Sequence, residues 1–108
     1  MVRFPFTINR SFLKHASHPI TIPREHYSRL MREGLNARSI KVVSPFGTLP
    51  GTVCYSVAGY GPYYQIRMDC GHSHDCRSRL ELDECITVQM DRIDGLVQVI
   101  SRVNLSKQ

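Results

Sequence analysis

The sequence has no apolar run that approaches the length of a membrane-spanning helix. Residues 1–7 also lack the apolar stretch of a secretory signal peptide. The sequence therefore lacks the usual signals of both membrane proteins and secreted proteins. We therefore expect no membrane partner, and a location in the cytoplasm, or in the nucleus if the source is eukaryotic.

Recognisable catalytic motifs are absent as well, since the chain has no nucleophile elbow, no P-loop and no His-Glu-x-x-His. Its acids are scattered, whereas a metal-dependent nuclease needs them clustered. Isolated parts of a catalytic triad are His15, Ser17, His18, His26, Asp69 and Asp75. We expect no catalysis and no cofactor. The sequence leaves open whether the chain acts alone or is the recognition domain of a larger enzyme.

Positive charge is concentrated in the first part of the chain. Residues 1–41 carry eight Lys or Arg and two acids, whereas residues 42–108 carry six Lys or Arg and seven acids. The whole chain has a formal net charge of +5. A basic face on a small domain favours a polyanionic partner, most often nucleic acid.

The length of 108 residues gives room for one domain with one core, spanning residues 1–108. Cysteine is scarce, and without a secretory signal the thiols are expected to be reduced and buried as small hydrophobic groups. The four cysteines are Cys54, Cys70, Cys76 and Cys85.

A strand that turns directly into a helix is predicted at Ile20–Tyr27. Ile20 and Ile22 are β-formers, and Pro23 stops the strand and opens a helix to Arg32. Spacing predicts one buried stripe, formed by Tyr27, Leu30 and Met31. Gly34 is a suitable residue to end this helix. Residues 9–19, which come before it, break the pattern and are interpreted as a loop or loose arm.

The remaining elements are predicted to be short strands, because the apolar pattern has a period of two. Gly and Pro at residues 58–62 indicate a turn, and Asp94-Gly95 indicates a hairpin. The predicted strands are residues 3–8, 39–44, 51–57, 63–68, 85–90 and 96–103. Short strands with closely spaced turns predict a mainly β fold, a barrel or a sandwich.

This order of elements resembles the B3 DNA-binding domain of plant transcription factors and of some restriction endonucleases. The family signature is an apolar strand running into Ile-Pro-Lys and a helix, and Ile20–His26 is similar to it. Gly71-His72 stands where the family usually has Gly-Trp, and Leu80–Val88 resembles its Leu-x-x-Gly-Asp turn and following strand. The resemblance implies a seven-stranded open β-barrel (pseudobarrel) with one or two short helices.

The resemblance also implies where double-stranded DNA binds. The family grips the major groove with an arm before the Ile-Pro helix and with its central hairpin. On the first arm the corresponding residues are Arg10, Ser11, Lys14, His15, Ser17 and His18. On the hairpin they are Tyr60, Tyr63, Gln65 and Arg67, and Arg24 is a further phosphate-contact candidate. Tyr64 is interpreted as a packed aromatic residue of the sheet.

Other families remain open. The chain departs from the B3 pattern, since it contains no tryptophan and has Asp83-Glu84 in place of Gly-Asp. Ile20–Pro23 also resembles the AbrB-type swapped-hairpin proteins, which are dimeric transcription regulators about half this length. A double-psi barrel is a third possibility. A barrel module that docks an acidic protein partner would account for the same charge as DNA binding.

A cluster of soft and borderline metal ligands invites a zinc interpretation. Its spacing, C-x-H-x-H-x-C, differs from the usual structural zinc sites, in which paired ligands are separated by a longer loop. We therefore predict no metal, with a zinc-bound barrel as the alternative. The ligands in that alternative are Cys70, His72, His74 and Cys76.

Overall fold

The computed structural model describes residues 2–36, 39–44, 47–68, 80–93 and 96–103. The first half contains β1 (Val2–Thr7), α1 (Arg10–Lys14), β2 (Ile20–Thr21), a 3-10 turn (Arg24–His26), α2 (Tyr27–Arg32) and β3 (Ile40–Ser44). The second half contains β4 (Gly47–Ala58), β5 (Gly61–Met68), β6 (Cys85–Ile93) and β7 (Leu96–Val103). The prediction of a mainly β fold with few helices is confirmed.

The strands hydrogen-bond to one another in the order β1-β6-β7-β3-β4-β5-β2. Every pair is antiparallel except β3 with β7, which run parallel. Within the described ranges β1 and β2, at the two ends of this order, do not pair with each other. The sheet is therefore not a closed barrel.

The core is built from alternating apolar residues on the strands. In β1, Val2, Phe4 and Phe6 are buried, whereas Arg3 and Pro5 are exposed, as a period of two requires. Pro5 is tolerated because β1 has β6 on only one side. The other buried apolar residues are Ile8, Phe12, Ile20, Ile22, Leu30, Leu35, Ile40, Val42, Val53, Ile66, Met68, Leu80, Ile86, Val88 and Met90.

The interpretation of residues 9–19 as a loop or loose arm is wrong for residues 10–14, which form α1, whereas residues 15–19 form neither helix nor strand. Asn9 caps a helical turn, α1, because its Oδ1 accepts a hydrogen bond from the backbone N–H of Phe12 at 2.8 Å. Phe12 is fully buried, and its ring centroid lies 5.9 Å from that of Phe6. The apolar contact, rather than helix propensity, stabilises so short a helix.

The helix predicted from Pro23 to Arg32 is present as the 3-10 turn followed by α2, and its buried face differs from the prediction. Leu30 is buried, whereas Met31 is 59% exposed. Gly34 ends the helix with a φ of +69°, and the backbone N–H of Leu35 then bonds to the Leu30 carbonyl at 2.9 Å. This reversal turns Leu35 into the core, where it takes the place predicted for Met31.

Strand β4 is longer than predicted and includes Pro50. Its first part, residues 47–51, pairs with β3, and its pairing with β5 begins at Gly51. Among the described strands Pro50 therefore has one neighbour, opposite Lys41, and its missing N–H leaves no second ladder incomplete. The described cysteines, Cys54 and Cys85, are free thiols as predicted, but they are half-buried rather than buried.

No helix in the described part of the chain is both long enough and apolar enough to cross a membrane. The predicted Asp94-Gly95 turn lies outside the described residues. The turn predicted between β4 and β5 is present, with Ala58 opposite Gly61.

Candidate nucleic-acid interface

An open cleft lies between the segment around α1 and the outer face of β5. One wall comes from the chain between β1 and β2, and the other from alternate residues of β5. The residues that line it are Ser11, His15, Ser17, Pro19, Tyr63, Gln65 and Arg67. Six of these seven were predicted from sequence as DNA contacts, and they come from both predicted arms. None of the seven is acidic.

Backbone hydrogen bonds hold the two walls together. The Met68 N–H donates to the Ser17 carbonyl at 2.7 Å, and the Ile22 N–H donates to the Tyr64 carbonyl at 3.0 Å. Between them, Ile20 pairs with Ile66 in the β2–β5 ladder. The chain from residue 17 to residue 22 therefore runs along the edge of β5, which fixes Ser17 beside Arg67.

The β5 wall is made of side chains that point away from the core. Ile66 and Met68 are buried on one face, whereas Arg67 is exposed on the other. This is the alternation that the sequence predicts. The Oε1 atom of Gln65 accepts from Arg67 Nε at 3.4 Å and from Arg67 Nη2 at 3.3 Å. Gln65 thus holds the guanidinium group along the cleft.

His18 is predicted as a DNA contact, and the structure contradicts that prediction. It is 1% exposed, so it cannot reach a duplex. Its Nδ1 lies 2.8 Å from the Phe12 carbonyl oxygen, and its ring centroid lies 4.9 Å from that of Phe12. Its φ is +44°, in the left-handed region. His18 is therefore a structural residue that holds the segment after α1 against Phe12, behind the cleft.

The other predicted contacts surround the cleft without lining it. Arg10 and Lys14 are exposed on α1. Ser11 of the same helix and His15, the residue after the helix, line the cleft. Tyr60, at the β4–β5 turn, is 71% exposed. Arg24 is exposed, and its guanidinium lies close to Gly61 in the same hairpin. Arg10 and Lys14 are therefore exposed cations on the helix that carries Ser11, and Arg24 is an exposed cation beside the β4–β5 hairpin.

The opposite face of the hairpin is aromatic. The rings of Tyr27 and Tyr64 meet edge to face at 5.0 Å, and those of Tyr55 and Tyr64 at 5.1 Å. The Tyr27 hydroxyl accepts from the Tyr64 backbone N–H at 3.1 Å, which ties α2 to β5. The interpretation of Tyr64 as a packed aromatic residue is confirmed.

The cluster Cys70, His72, His74 and Cys76 lies outside the described residues, as do Asp69 and Asp75. Among the residues that the structure describes, no group of three His, Cys, Asp or Glu could hold a metal ion. Of the remaining triad candidates, His26 packs its ring 5.8 Å from that of Phe4. His15 and Ser17 share the cleft.

Two residues of this region were missed in the sequence. Pro19 is a lining residue whose position depends on the β2–β5 pairing, and no local pattern signals it. Asn9 positions the α1 wall, and an asparagine three residues before a buried phenylalanine is a recognisable helix-cap signal.

Comparison with known proteins gives no assignment. No protein-family model matches the sequence, and no curated protein gives a significant match.

Proposed function

We propose that this protein binds double-stranded DNA in a sequence-specific manner through the cleft between α1 and β5. The observation that supports the proposal is the convergence of Ser11, His15 and Ser17 with Gln65 and Arg67 in one cleft, whose described lining residues include no acid. These two groups are far apart in the chain, and the B3 resemblance assigns each of them to one arm of a DNA grip.

The side chains suit the two tasks of DNA recognition. Arg67 and Gln65 are donors and acceptors able to read base edges, and Gln65 restricts the guanidinium to one direction. Arg10, Lys14 and Arg24 are exposed cations at the margins and would neutralise phosphates. Ser11 and Ser17 supply short hydroxyl groups for phosphate or base contacts.

The finer fold assignment belongs to the same proposal. We infer a B3-like pseudobarrel, an open barrel of strands with short helices at its margin. The order of elements supports this inference, because an Ile22-Pro23 junction precedes α2 and a hairpin of β4 and β5 follows it, as the resemblance implies. The assignment would fail if an experimentally determined structure gave a different strand order.

The first experiment measures duplex binding by fluorescence anisotropy at several salt concentrations, using a pool of random duplexes and then sequences enriched by site selection. We expect binding that weakens steeply with salt, because phosphate contacts release counterions. Arg67→Ala should weaken binding of the selected site by about 1–3 kcal/mol, which is about 5- to 150-fold, and relax its sequence preference.

Lys14→Ala should weaken selected and random duplexes alike and reduce the salt slope by about one. Arg3→Ala is the matched control, because it removes the same charge on β1, where Arg3 bonds to Gln89 outside the cleft. Equal losses of duplex affinity for Arg3→Ala and Arg67→Ala would show that the net charge of the protein, and not the cleft, accounts for binding. No duplex binding at low salt would overturn the proposal, and retained capture of acidic proteins would favour the docking module.

A further inference from the structure

The outer edge of β4 is the second surface that the fold presents. The β3–β4 ladder ends at the pair Ile40 and Gly51, whereas the β4–β5 ladder continues to Ala58 and Gly61. From residue 52 to residue 58, no described strand pairs with β4 on the β3 side. Within the described part of the chain, the backbone groups on that side of residues 52–58 therefore pair with no strand.

This edge lacks the devices that normally protect an exposed strand. Natural edge strands are blunted with charges, prolines, bulges or very short lengths. Residues 52–58 read Thr-Val-Cys-Tyr-Ser-Val-Ala and contain no charge and no proline. Tyr55 is 59% exposed and Val57 is 72% exposed, on the same face of the strand. Such an edge is typical of a strand that pairs with another chain.

The segment has a symmetry of its own about Tyr55. Val53 and Val57 are equidistant from it on one face, and Cys54 and Ser56 are equidistant on the other. In an antiparallel pair of identical strands centred on Tyr55, valine would face valine and the two tyrosines would face each other. Small polar residues would likewise face small polar residues. This self-complementarity is what a two-fold symmetric interface requires.

An open depression lies beside the first part of this edge. The described residues that line it are Asn36, Thr52, Val53, Cys54, Tyr55 and Tyr64. The exposed Val57 of a second copy would lie against the margin of the core at Val53. The end of the added strand would approach Ile40 of β3. The residue of the second copy at that position would be Gly59, which has no side chain. Residues 52–58 carry no charge, so the two paired strands themselves bring no like charges together, despite the net charge of +5.

We propose that the chain forms a two-fold symmetric dimer by antiparallel pairing of β4 with β4 of a second copy. The proposal does not depend on DNA binding. Interfaces below about 1,200 Å² are typical of weak complexes, and a single pair of short strands is of that kind. The dimer should therefore be weak and dependent on protein concentration.

Sedimentation equilibrium of the full chain over a range of concentrations tests the proposal. The native chain should show a monomer–dimer equilibrium. Tyr55→Lys and Tyr55→Glu should each be monomeric, because like charges would lie directly opposite each other in the pair. Mixing the two variants should restore the dimer as a one-to-one heterodimer, which also shows that both are folded. Leu82→Lys is the control, since Leu82 is an exposed apolar residue away from β4 and its change should leave the dimer intact.

A cysteine placed at the two-fold axis gives a second measurement. Residues directly opposite in antiparallel strands have Cβ atoms about 4.5–5.5 Å apart, close to disulfide reach. Under mild oxidation Tyr55→Cys should therefore form a covalent dimer faster than Val57→Cys, which would face Val53. The native chain, with its own cysteines, sets the background. A native chain that stays monomeric at all concentrations, or variants that fail to recombine, would overturn the proposal.

Discussion

The Nδ1 atom of His18 lies 2.8 Å from the carbonyl oxygen of Phe12, and the two rings stack with centroids 4.9 Å apart. Because a carbonyl only accepts, the proton of this bond lies on Nδ1. The bond joins the end of the α1 segment to the residue that anchors α1 in the core. The geometry of the cleft wall therefore depends on a residue that never reaches the cleft.

We expect His18→Ala to lower the free energy of unfolding by about 2 kcal/mol or more, because it orphans a buried carbonyl and leaves alanine in a left-handed conformation. His18→Asn should cost less, since asparagine tolerates that conformation. His15→Ala is the control, because His15 is exposed and its change should stay within about 0.5 kcal/mol. Urea unfolding followed by far-ultraviolet circular dichroism measures all three. Equal effects at residues 15 and 18 would contradict the structural role.

Gly51 is expected to tolerate no side chain. A Cβ there would lie 2.8 Å from the Arg67 backbone carbonyl oxygen and 3.0 Å from Val42 Cγ2. Gly51→Ala should therefore destabilise the protein by about 1–3 kcal/mol, as overpacking does. Gly59→Ala is the comparison, because a Cβ at Gly59 meets nothing within 4 Å. Thermal unfolding of the two variants should separate them, and similar melting temperatures would show that β4 shifts freely.

Gln65 should control how Arg67 acts in the cleft. Gln65→Glu adds a negative charge beside the guanidinium and should weaken duplex binding at low salt by about tenfold or more, since like charges across an interface are costly. Gln65→Leu should keep the affinity for random duplex but weaken the preference for the selected sequence. Leucine cannot accept the two hydrogen bonds from Arg67, so the guanidinium group is free to rotate. Anisotropy with the selected and random duplexes distinguishes these effects. A larger loss of duplex affinity for Gln65→Leu than for Gln65→Glu would contradict the proposal that the cleft binds an anionic ligand.

Several elements could be predicted because their signals are local. The alternation in β1 and β5 identifies which side chains face the core. Pro23 and Gly34 mark the two ends of the helical segment through their backbone preferences. Pro23 lies immediately before the 3-10 turn with a φ of −58°, and Gly34 ends α2 with a φ of +69°. Six of the seven residues that line the cleft were found in this way and through the family resemblance.

The wrong predictions depend on contacts between residues distant along the chain. α1 forms because Phe12 packs against Phe6 and His18, which no helical periodicity announces. Met31 has the correct spacing for burial, but Leu35 fills the core after the chain reverses at Gly34. His18 resembles an exposed basic residue in sequence and is buried only because the arm folds.

The order of strands has a consequence for how the chain is made. β7 is the last described strand, and yet it lies in the interior of the sheet between β6 and β3. β1 pairs only with β6, which is synthesised much later. During translation β1 has no partner until β6 has been made to residue 93, and β3 lacks its second partner until β7 has been made to residue 103. Strands β2 to β5 can pair with one another once residue 68 has been made, whereas β1 joins the sheet only through β6 and β7, so the complete sheet forms late in synthesis.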